Sequence, residues 1–66
     1  GENNKMMYYV STGNGCCLTI AEDEDAAYDK ILRKVGTNVG VDEVREATEK
    51  DIALVRGMGG YVPKER

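Results

Sequence analysis

The sequence predicts a small α+β domain of element order ββαβα. The expected architecture is a two-layer sandwich: a three-stranded antiparallel sheet of strand order 2-1-3 with two helices on one face. Three observations predict it. Two runs rich in Tyr, Val, Leu and Ile flank the turn sequence Gly13-Asn14-Gly15. A helical pattern follows, with acids at its start, bases at its end and Gly36 behind it. The 66 residues suffice for one hydrophobic core and not for two.

The elements follow in order. Gly1 reads as a cloning remnant and residues 1–5 as a polar, disordered tail, with Met6 or Met7 as an alternative natural start. Met6 to Thr12 reads as the first strand and Cys16 to Ala21 as the second, joined as a hairpin. Alternation puts Tyr8 and Val10 on one side of the first strand and Met7 and Tyr9 on the other. In the second strand, Cys16, Leu18 and Ile20 oppose Cys17 and Thr19. The Leu18/Ile20 side is the expected core.

Glu22 to Lys34 reads as a helix with an apolar stripe of Ala27, Ile31 and Val35, flanked by Tyr28 and Leu32. Thr37 to Gly40 is a loop. Val41 to Ala47 is read as the third strand, although Val41 and Val44 lie three apart, a spacing that also suits a helix. Thr48 and Asp51 stand in capping-box spacing and open a last helix with an inner stripe of Ile52, Val55 and Met58. Gly57, Gly59 and Gly60 end it. The domain is expected over residues 6–62, with 63–66 as a frayed tail. If both helices lie on one face, the other face is left bare, and a bare apolar face is a contact surface.

Charge and composition narrow the function. The net charge of −3, from 9 basic and 12 acidic residues, lacks the clustered cations that nucleic-acid binding needs. No run is long and apolar enough for a membrane span, and no stretch reads as a secretion signal. The chain has no His, so the commonest general base and metal ligand is missing. No catalytic set, cofactor motif, metal set or small-molecule site assembles, and the expectation is a non-enzyme. Cys16 and Cys17 are adjacent, a poor geometry for a disulfide with each other, and read as free thiols of a reducing cytoplasm.

The expected protein-interaction residues are Met7, Tyr9, Cys17 and Thr19, taken as the side chains of the uncovered face, with an edge strand as a further contact. The expected partner is another protein or a second copy, as a homodimer. Two alternatives stand beside this reading. Glu22, Asp23, Glu24, Asp25 and Asp29 form an acidic patch suited to an inhibitor of a host nucleic-acid-binding protein. Cys16 or Cys17 would serve a thiol-based redox sensor if its pKa were lowered.

The segment Leu18 to Lys34 (LTIAEDEDAAYDKILRK) resembles the strand and acidic helix of short phage and plasmid proteins of the DpnD/PcfM-like type. That resemblance covers about a quarter of the chain. It implies a small α+β fold and an accessory role in a bacterium or phage.

Overall fold

The computed structural model describes residues 5–64. The order is β1 (Met6–Thr12), β2 (Gly15–Ala21), α1 (Glu24–Val35), β3 (Val41–Glu46) and α2 (Glu49–Gly57). The sheet order is β2-β1-β3, and both pairs are antiparallel. The α+β class, the strand order and the five elements are those the sequence predicts. The expected tail over residues 1–5 falls outside the described residues except for Lys5, which is exposed and precedes β1.

The hairpin turn sets the register of β1 against β2. Thr12 Oγ1 donates to the Gly15 carbonyl at 2.8 Å and accepts from the Asn14 N–H at 3.1 Å. With Thr12 opposite Gly15, Val10 faces Cys17, Tyr9 faces Leu18 and Met7 faces Ile20. Directly opposite residues share a face. Met7, Tyr9, Cys16, Leu18 and Ile20 therefore lie on one side, and Tyr8, Val10, Cys17, Thr19 and Ala21 on the other.

The three-residue spacing in β3 has a specific resolution. Ser11 pairs with Glu43 but Thr12 pairs with Val41, so Asp42 is an extra residue at a bulge. The bulge restores the phase, and Val41 and Val44 both pack on the α1 side. The ladder runs one bond past Glu46, where the Ala47 N–H donates to the Met7 carbonyl at 2.9 Å.

Helix α1 starts where its cap dictates. The Asp23 carboxylate accepts from the Ala26 N–H at 2.8 Å, with Glu24 and Asp25 in the first turn. Gly36, at φ 91°, closes the helix by donating its N–H to the Leu32 carbonyl. A residue with a Cβ would be strained there. Ala27 and Ile31 are buried, as the stripe predicts, while Tyr28 faces outward.

The helices do not share a face. Ala27 and Ile31 of α1 pack on Tyr8, Val10 and Ala21. Val55 and Ile52 of α2 pack in a separate cluster with Met7, Leu18 and Ile20. These are opposite sides of the sheet, so the expected two-layer sandwich with a bare face is corrected to one helix per face. The physical reason lies in the hairpin, which is apolar on both sides. Leaving Met7 or Leu18 in water would forgo roughly 1.5–3 kcal/mol per side chain. Covering both faces removes that penalty.

The end of α2 also departs from expectation. Met58 is the C-cap and is 59% exposed, so it is not part of the inner stripe. Gly60 donates its N–H to the Val55 carbonyl at 2.9 Å. A Cβ on Gly60 would lie 2.8 Å from Val55 Cγ1, so only glycine allows this close reversal. The reversal brings Val62 back against the α2-side cluster and leaves Pro63 half-buried. Pro63 is thus a packed residue rather than part of a frayed tail; residues 65 and 66 lie outside the described residues.

Candidate interaction surface

The four side chains expected to form one binding face are divided between two. Met7 and Tyr9 lie on the α2 side, and Cys17 and Thr19 on the α1 side. Met7 (7% exposed) and Thr19 (6%) are buried and unavailable to a partner. The expectation failed because it paired the strands without their register. One residue of offset moves every side chain to the opposite face.

Tyr9 is half-buried beneath Arg45, whose guanidinium carbon sits 4.3 Å from the ring centroid. Arg45 reaches from β3 to α2 and donates through Nη1 and Nη2 to both Asp51 oxygens, at 2.5 and 2.9 Å. Its Nε donates to Glu43 at 3.2 Å. Asp51 also completes the capping box. It accepts from the Thr48 N–H at 2.8 Å, and its own N–H donates to Thr48 Oγ1 at 3.2 Å. Arg45, then the Thr48 main chain, hold the Asp51 carboxyl well below the usual carboxylate range. The hydrogen bond to Asp51 likewise raises Arg45 above its ordinary value. Arg45 and Asp51 satisfy each other's charge, so this network clamps α2 to the sheet.

The thiols are free and half-buried. Burial pushes the Cys17 thiol up, with Lys34 pulling the other way. A raised pKa keeps it protonated, the reverse of what a thiolate sensor needs. Cys16 and Tyr9 share the α2-side cluster, and the Cys16 side chain, then burial, raises the Tyr9 phenol. Glu22, Asp23, Glu24, Asp25 and Asp29 are exposed. Two of them have structural partners: Asp23 caps α1, and Asp29 pairs with Arg33 at 3.0 Å, one helical turn away. Among the described residues, no group of three or more Cys, Asp or Glu side chains is arranged to hold a metal ion. None of the helices there is long and apolar enough to cross a membrane.

What remains open is an edge. With order β2-β1-β3, both outer strands present unpaired main-chain groups. The Met7 carbonyl accepts from Ala47, so Met7, Tyr9 and Ser11 direct their main-chain groups to β3. Tyr8, Val10 and Thr12 therefore face β2, where Gly15, Cys17 and Thr19 answer them. The N–H and C=O groups of Cys16, Leu18 and Ile20 point away from the sheet. The Ile20 carbonyl is met there by Lys30 Nζ at 2.8 Å.

The outer strands differ in chemistry. β3 (VDEVRE) carries Asp42, Glu43, Arg45 and Glu46, charges of the kind that blunt an edge. β2 (GCCLTIA) carries no charge and no proline. Beside β2 runs an open groove of about 290 Å³, walled by Lys30, Ile31 and Lys34 of α1 and by Tyr61 and Pro63 of the returning chain. A larger groove, about 800 Å³, lies between the start of α2 and the C-terminal segment, with Glu49, Arg56 and Lys64 among the residues that line it. It borders no unpaired strand.

No family model, curated protein or solved structure matches the chain. The sequence reading missed Lys30, Lys34, Tyr61 and Pro63. The contrast between an uncharged β2 and a charged β3 was visible once the order 2-1-3 was assigned. That Lys30 and Tyr61 flank the edge was not, because it depends on where α1 lies and where the chain returns.

Proposed function

We propose that the protein is a non-catalytic interaction module that takes up its partner by strand addition at the β2 edge. The observation that carries this reading is the outward main chain of Cys16, Leu18 and Ile20 on a strand without charge or proline. Main-chain bonding supplies affinity in this mode, and flanking grooves supply selectivity. The accessory role implied by the DpnD/PcfM-like resemblance agrees with such a module.

The experiment uses chemical synthesis, with ligation at Cys16, to place an N-methyl group on Leu18. The methyl removes an outward donor while sparing the β1–β2 ladder. Peptides selected on the native protein from a random displayed library should shift the amide NMR signals of Cys16, Leu18 and Ile20. The N-methyl protein should melt like the native one and lose those peptides. Retained binding by a folded N-methyl protein, or shifts confined to other surfaces, would overturn the proposal.

A further inference from the structure

Strand addition at β2, on which this inference rests, leaves open what the partner strand carries. We infer that it is an extended segment of a protein partner that alternates carboxylates with apolar side chains. A strand added to β2 continues the pleat, so its side chains alternate between the two faces. Those on the α1 side meet Lys30 and Lys34, which stand one helical turn apart beside the edge. Those on the opposite side meet Tyr61, 77% exposed, and Pro63.

The charges on the α1 side are available. Among the described residues, ion pairs form at Arg33 and Arg45, and neither Lys30 nor Lys34 has a carboxylate in pairing range. Lys30 instead donates to the Ile20 carbonyl, one of the acceptors an added strand requires. A partner carboxylate draws the ammonium away and frees that carbonyl for the partner's own N–H. A neutral or basic strand has no such exchange to offer, so Lys30 guards the edge against it.

The same geometry disfavours a second copy. Two β2 strands paired antiparallel about a two-fold axis bring Lys30 and Lys34 of each copy towards their equivalents. Like charges in that position oppose association. β2 itself has no carboxylate to offer.

The test titrates the isotope-labelled protein with three peptides, Ac-EVEVEVE-NH2, Ac-SVSVSVS-NH2 and Ac-KVKVKVK-NH2, while the amides of Cys16, Leu18 and Ile20 are followed by NMR. The Glu peptide should shift these signals at the lowest concentration. The K30A/K34A variant should weaken that binding about tenfold, a loss within the range of two exposed ion pairs, and added salt should act likewise. Both lysines are exposed, so the variant should fold as the native protein does. Equal binding of all three peptides at this edge overturns the acidic assignment and leaves strand addition standing. Failure of every peptide to move these signals counts against strand addition itself. Shifts of the same amides with protein concentration alone would assign the edge to a second copy and overturn the inference.

Discussion

The two faces of the sheet are closed by different physics. On one, α1 lies across all three strands and is held by apolar contact: Tyr8, Val10 and Ala21 against Ala27 and Ile31. On the other, the shorter α2 leans mainly on β2, and its apolar grip through Val55 and Ile52 is supplemented by Arg45, Asp51 and Thr48. The buried contacts of α1 on the sheet include no carboxylate. The α2 side depends on a carboxylate remaining ionised. A helix of nine residues is marginal by itself, so α2 should open before α1 does.

The sharpest way to break this comparison is a pair of truncations. Val10 is 0% and Val55 1% exposed, so Val10→Ala and Val55→Ala remove the same atoms from opposite faces. Val10→Ala should cost roughly 2–3 kcal/mol of unfolding free energy in urea. Val55→Ala should cost less, because α2 can settle or detach locally. Equal costs would mean that the two faces unfold as one unit. Next in size is Gly60→Ala. The added methyl meets the Val55 side chain and carbonyl, and roughly 1–3 kcal/mol should be lost, with Tyr61 to Pro63 displaced. Increased amide exchange at Val62, with the α1 amides unaffected, would place the damage on the α2 side.

The smallest effect is expected in a pH slope. Asp51 is more acidic folded than unfolded, so its contribution is complete above the unfolded value of about 3.9 and declines as pH falls through and below it. Asp51→Asn removes the titration. The stability gap between native protein and variant should be constant near neutrality and narrow in acid below about pH 4. A gap that does not change with pH would show that the clamp contributes through shape alone. Hydrogen exchange under the same conditions should show α2 amides losing protection while those of α1 keep theirs.

Most of the fold was legible because its signals are local. Gly13-Asn14, the Asp23 cap, the Thr48–Asp51 box and the Ala27/Ile31 stripe each specify their own few residues. Val41 and Val44 looked ambiguous because a bulge is a property of two strands rather than one. The binding face was misread for a similar reason: alternation says which residues of a strand share a side, and only pairing says which side of the neighbour they join. Tyr9 was singled out as an exposed anchor, but its companion Arg45 arrives from β3, and Asp51 from α2.

By itself, then, the chain determines which segments become strands and which become helices, the order ββαβα, and a turn tight enough to align β1 with β2. These follow from steric preference, capping and periodicity over a few neighbouring residues. Tertiary structure alone decided that α2 crosses to the face opposite α1. The apolar residues of both sides compete for cover, and that competition is settled only when all the layers are present. It also decided that Lys30, Lys34, Tyr61 and Pro63 gather along β2. Residues so far apart in the chain meet only because the sheet supplies a common edge and the close packing of Gly60 on Val55 sends the chain back towards it.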